Sequence, residues 1–198
     1  MKKSIFNTLI IIITLNICSA QTTGSFKDKR DGRVYKTVKI GEQVWMAENL
    51  AYKTAKGSWA YDNNEEYVKT YGRLYNWETA KNVCPDGWHL PSNVEWDILT
   101  NYLGGNDVAG NKLKAKSGLW KSEYLYNIYP CGFDALPGGC RYDFSGNFYD
   151  LGYYAYFWTS SPANGKNACR RYIFSNFESV NCFYYLSSTG YSVRCIKN

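Results

Sequence analysis

Six of the seven cysteines, Cys84, Cys131, Cys140, Cys169, Cys182 and Cys195, constrain what this chain can fold into more than any other feature, the seventh being Cys18 near the start. An even set in an oxidising compartment implies a disulfide framework, here of three bridges. No two form a C-x-x-C pair, so their spacing supports neither a zinc knuckle nor a thioredoxin-type redox centre. Which cysteine pairs with which is left open by spacing alone.

The compartment is read from the first 20 residues. Lys2 and Lys3 precede the apolar stretch Leu9-Ile10-Ile11-Ile12-Ile13, and Cys18 and Ala20 place small residues at −3 and −1 of a cleavage site before Gln21. This is the layout of a secretory signal peptide over 1–20. The rival reading makes Leu15-Asn16-Ile17-Cys18 a lipoprotein box with Cys18 lipidated. The bulk of Ile17 argues against that, and only that case gives the chain a membrane contact or makes it an outer-membrane lipoprotein. Losing Lys2 and Lys3 lowers the formal charge of +6 by two, and Arg170-Arg171 is the nearest approach to a basic patch. Nucleic acid is therefore not an expected partner.

Residues 21–30 are polar and read as a flexible lead-in, with one domain over 31–198. Alternation of Val34, Lys36, Val38 and Ile40 with Tyr35, Thr37 and Lys39 predicts a strand, and Gln43-Val44-Trp45-Met46 its hairpin partner. Leu74, Trp77, Ala80 and Val83 recur every three residues and predict a helix ending before Cys84-Pro85. Ser92 and Glu95 form a capping box at the start of a second helix. Trp96, Leu99 and Leu103 are its buried stripe, and Gly104-Gly105 its stop. A helical turn is expected over 108–114, a turn over 143–148, and strands over 156–159, 170–174, 180–184 and 191–196. Helices followed by strands give an α+β layout.

Several phrases carry a resemblance: Gln43-Val44-Trp45-Met46-Ala47-Glu48-Asn49-Leu50, Tyr71-Gly72-Arg73-Leu74-Tyr75-Asn76-Trp77, Cys84-Pro85-Asp86-Gly87-Trp88-His89-Leu90-Pro91-Ser92 and Gly190-Tyr191-Ser192-Val193-Arg194-Cys195. With Phe157-Trp158-Thr159-Ser160-Ser161, they span nearly the whole mature chain, which resembles the Fibrobacter succinogenes major paralogous domain family. That family is similar in turn to the C-type lectin-like fold, which includes the formylglycine-generating enzymes. The resemblance implies two helices on short antiparallel sheets, a long loop region, and termini close together. It also implies the pairing Cys84–Cys195, Cys169–Cys182 and Cys131–Cys140. It implies no catalytic residues, and Trp45, Trp77, Trp88, Trp96 and Trp158 become candidates for core.

A calcium-lectin site needs paired carboxylate and amide oxygens. Ser161-Pro162-Ala163 and Val180-Asn181-Cys182 do not supply them, so no metal and no cofactor is expected. His89 reads as a structural histidine. Tyr149, Tyr153, Tyr154 and Tyr156 form a cluster suited to sugar rings or protein partners, or equally to packing of the loops. The expectation is a non-catalytic exported module that binds a surface glycan or another exported protein. Two alternatives stand beside it: an enzyme using the C-terminal cysteines Cys182 and Cys195, by analogy with the formylglycine-generating branch, and a purely structural surface domain.

Overall fold

The computed structural model describes residues 22–122, 128–162 and 164–198. The signal peptide expected over 1–20, with Cys18, lies outside them. Two sheets and a separate hairpin dominate, with a few short helices between them.

The strands in chain order are β1 (Thr23–Lys27), β2 (Val34–Ile40), β3 (Gln43–Met46), β4 (Ser58–Trp59), β5 (Leu74–Tyr75), β6 (Trp88–His89), β7 (Gly138–Arg141), β8 (Phe148–Leu151), β9 (Tyr154–Pro162), β10 (Asn167–Phe174), β11 (Val180–Leu186), β12 (Tyr191–Ser192) and β13 (Ile196–Lys197). The α-helices are α1 (Glu66–Tyr71), α2 (Trp77–Ala80), α3 (Asn93–Tyr102) and α4 (Asn106–Leu113). The first sheet runs β1-β2-β3-β13-β6, and the second β11-β10-β9-β12-β5-β4. The hairpin β7-β8 stands apart and touches the second sheet through a bridge between Arg141 and Gly190.

Local signals explain α3 well. Ser92 Oγ accepts from the Glu95 amide at 3.2 Å, and Glu95 Oε2 accepts from the Ser92 amide at 2.7 Å. His89 Nε2 adds a contact to Glu95 Oε1 at 2.7 Å, and His89 Nδ1 lies 2.6 Å from Asn198 Oδ1, which ties β6 to the cap. Burial works against ionisation of Glu95, but hydrogen bonds from Ser92 and His89 outweigh it and hold the carboxyl below its usual range. Trp96 and Leu99 are fully buried and Leu103 nearly so, packing one side of the helix on the core.

Several expectations need correction. The lead-in is not loose: Thr23–Lys27 pairs residue for residue with Val34–Val38, and Asp28 behind it is buried against Arg30. The helix read over 74–83 shrinks to the single turn of α2. Asn76 caps that turn by accepting from the Thr79 amide, while Leu74 and Tyr75 are drawn into the second sheet by Trp59 and Tyr191. The strand read over 191–196 is two strands in two different sheets, β12 beside β9 and β13 beside β3. The described residues hold four α-helices where the resemblance implied two: the helical turn expected over 108–114 is α4, and α1 follows the polar turn at Asp62 to Glu65.

Two apolar clusters fill the interior. In one, Trp45, Trp96, Phe133 and Phe157 meet with ring centroids 5.2–5.9 Å apart. In the other, Trp158 and Tyr191 pack edge to face at 4.6 Å, and the Trp158 indole donates to the Tyr75 carbonyl at 2.7 Å. Trp77 and Trp88 are only partly buried against this second cluster.

Cys84 and Cys195 form a disulfide across 111 positions. Cys169 and Cys182 face each other across β10 and β11 with sulfurs 2.7 Å apart, as a thiol pair without an S–S bond. Either thiol can donate to the other, and the contact couples their titrations. Cys131 and Cys140 are not bridged to each other. Cys131 is anchored through its amide to the Lys112 carbonyl in the first cluster, whereas β7 turns Cys140 into the second cluster beside Asp150.

Lys114 is almost completely buried, and its Nζ donates to Asn111 Oδ1 and to the carbonyls of Ser175 and Phe177 at 2.8–3.1 Å. Burial pushes its pKa down to about 8. An amine with a folded pKa below its unfolded value is penalised while charged, so the unfolded state holds more protons between about pH 8 and 10.5. Stability contributed by this site therefore rises with pH across that window, by something on the order of 3 kcal/mol in total. Urea midpoints at pH 7.5 and 9.5 should differ less in Lys114→Met than in the native chain. An equal pH slope in the two proteins would refute this.

Candidate functional site

The second sheet exposes one aromatic face at its β9-β10-β11 end. Alternation within strands chooses the residues and pairing brings them together. Tyr154 and Tyr156 on β9 lie opposite Phe174 and Tyr172 on β10, while Arg170 on β10 lies opposite Trp158 on one side and Phe183 of β11 on the other. Neighbouring Arg171 turns to the opposite face, where it binds Asp97 Oδ1 at 2.7 Å and the Asn93 carbonyl at 3.1 Å. The two arginines that looked like a basic patch are thus separated by the thickness of the sheet.

Ring contacts run continuously over this face. Phe177 meets Phe174 at 5.2 Å, Phe174 stacks on Tyr154 at 4.5 Å, and Tyr154 stacks on Tyr156 at 5.1 Å. Tyr156 then touches Tyr191 at 5.0 Å, and Tyr185, Tyr142 and Tyr149 continue the chain of rings. Exposure rises from the middle outward: Tyr156 is buried, Tyr154 and Tyr172 are half-buried, and Phe183 and Phe177 are 56% and 59% exposed.

Arg170 stands in the middle of the face. Its guanidinium carbon lies 4.3–5.4 Å from the ring centroids of Tyr156, Tyr191, Tyr185 and Tyr172. Across Tyr156 sits Asp150, whose Oδ2 accepts from the Tyr156 hydroxyl at 2.9 Å and from the Cys140 thiol at 3.6 Å. Asp150 adopts φ 68°, sparsely populated for a non-glycine residue. Opposite it Gly139 has φ 64°, and a Cβ there would fall 2.2 Å from the Tyr149 carbonyl. The pairing of β7 with β8 at this point delivers the carboxylate to the face. Burial first, and the Asp150 charge second, push the Tyr156 hydroxyl well above its ordinary pKa. Burial likewise raises Tyr191. The face therefore offers tyrosine hydroxyls, a guanidinium and a carboxyl group, a set suited to binding a polyhydroxylated ring.

The four tyrosines predicted from sequence are only partly brought together. Tyr154 and Tyr156 stack in the centre, Tyr149 joins at the far end through Tyr142, and Tyr153 lies apart beneath Lys121 Nζ at 5.4 Å. Tyr142, Tyr172, Phe174, Phe183, Tyr185, Arg170 and Asp150 were not anticipated. Arg170, Tyr172 and Phe174 do carry a signal, because they alternate on a strand that the sequence already marked.

Away from this face, a depression of about 310 Å³ is lined by Lys36, Glu48, Asn49, Asp134 and Arg194, among others. Arg194 is fully buried there, and its guanidinium is spent on Asn49 Oδ1 and on the carbonyls of Phe133 and Asp134. These contacts fix the base of the depression as structure. Among the described residues no group of three or more potential metal ligands clusters, and no helix is long and apolar enough to cross a membrane.

A family model described as the Fibrobacter succinogenes major domain matches residues 38–197. No solved structure matches the chain.

Proposed function

The chain belongs to the Fibrobacter succinogenes major domain family, and within that family we propose that it is an exported or cell-surface binding module, non-catalytic and of C-type lectin-like fold. It takes a glycan, or failing that the surface of another exported protein, without a calcium site. The observation that carries this reading is the open aromatic face running from Phe177 to Tyr149 with Phe183 at its edge. Exposed aromatic rings with polar tips cost free energy in water unless a partner covers them. The lectin-like reading draws support from the long-range Cys84–Cys195 bridge and from the presence of both β1 and β13 in one sheet.

The enzymatic alternative would use Cys182 and Cys195. Cys195 is committed to Cys84, and Cys182 lies on the opposite side of the sheet from the aromatic face, so binding is the reading that uses the observed geometry.

A glycan array probed with the purified mature chain, with and without chelator, tests the proposal. Binding is expected and should be insensitive to chelation. Phe183→Ser should lower affinity for the best ligand by about tenfold or more, as truncation of an interface anchor does. Being more than half exposed, Phe183 should shift stability by no more than about 0.5 kcal/mol. Array binding that is unchanged in Phe183→Ser would move the site elsewhere.

A further inference from the structure

Arg170 is a half-buried charge whose Nε finds no acceptor among the described residues. Arg30, Arg73, Arg171 and Arg194 each donate to a carboxylate or a carbonyl. Among the described residues Arg170 has no such partner: its Nε is buried without an acceptor, and its terminal nitrogens remain open on a half-buried residue. The Tyr191 hydroxyl beneath it is also buried without a partner. The four surrounding rings hold the guanidinium by cation–π attraction, which fixes its position but saturates none of its N–H donors. A planar fork of donors held rigidly among aromatic rings matches a planar acceptor that arrives with a ring attached.

We propose that the ligand of this face is an acidic polysaccharide, with Arg170 receiving the carboxylate of a uronic acid residue while Phe183 and Phe174 carry the adjoining sugar rings. This rests on the glycan-binding reading above. A carboxylate is preferred to a phosphate because the Asp150 carboxylate stands just across Tyr156. Its repulsion is about twice as large for a dianion as for a monoanion at the same distance. Asp150 also accepts hydrogen bonds, so a sugar hydroxyl can face it while the acid faces Arg170.

The test compares polygalacturonate with the same polymer after chemical reduction of its carboxyl groups, by calorimetry on the full mature chain. The acidic polymer should bind at least about tenfold more tightly, since the charge-assisted bidentate contact exists only there. Arg170→Gln should bring the two affinities within about twofold, and Arg170→Lys should restore only part of the difference. The ligand-side comparison needs no variant and so does not depend on how Arg170 substitutions fold. Equal binding of both polymers by the native chain would overturn the acidic-ligand proposal and leave the glycan reading standing. Binding of neither would overturn the acidic-ligand proposal, while the glycan reading stands or falls on the array. Tighter binding of glucose 6-phosphate, a phosphate monoester, than of galacturonate would overturn the carboxylate assignment.

Discussion

Replacing Cys84 with Ala should lower the stability of this protein by roughly 4–5 kcal/mol, the value expected when a loop of about a hundred residues is released in the unfolded state. Cys84 and Cys195 are 111 positions apart, and Cys195 is fully buried between the two sheets. Domains of this size have only about 5–15 kcal/mol of stability, so the variant should be close to unfolding at 37 °C. Urea titration of the native chain, Cys84→Ala, Cys195→Ala and the double variant would measure this. The double variant should be no less stable than the worse single one, because either substitution already opens the loop. A loss below about 1 kcal/mol in Cys84→Ala would mean that the oxidised and reduced unfolded chains are about equally restricted.

The second large effect is expected at Trp96, where Ala should cost about 3–5 kcal/mol. The ring is fully buried and joins three parts of the structure, touching Trp45 of β3 at 5.2 Å, Phe133 at 5.6 Å and Phe157 of β9 at 5.4 Å. All three neighbours are themselves buried aromatics, so the space left behind cannot be filled by a small local movement. Its indole nitrogen finds no hydrogen-bond partner among the described residues, so Trp96→Phe removes no such bond and should cost much less than Ala. Chemical denaturation of the two variants side by side gives the contrast. Similar losses for Phe and Ala would refute the packing explanation.

What could be read from the sequence follows the range of the interactions. The α3 helix was legible because its start, stripe and stop are all local: Ser92, Glu95, Trp96, Leu99 and Gly104 lie within 13 residues. The strands β2, β10 and β11 were legible for the same reason, through alternation within each strand. Leu74 and Tyr75 were misread as helix because their three-residue spacing with Trp77 and Ala80 is local, whereas the partners that make them a strand, Trp59 and Tyr191, are not. The candidate site failed in a similar way. Tyr154 and Tyr156 could be found as a cluster along the chain, but Arg170 and Phe183 join them only through the register of β9 with β10 and of β10 with β11. Nothing in a run of tyrosines indicates that Tyr153 stands apart while Tyr185, some thirty residues later, completes the face.

The segment from Tyr191 to Lys197 enters the second sheet as β12, passes Arg194 and Cys195 through the interior, and becomes an inner strand of the first sheet as β13. In kinetic terms this makes it a latch. Neither sheet can close until residues more than a hundred positions apart have met, and contacts of that span form slowly. The Cys84–Cys195 bridge spans the same long separation, so it holds together the contacts that complete both sheets.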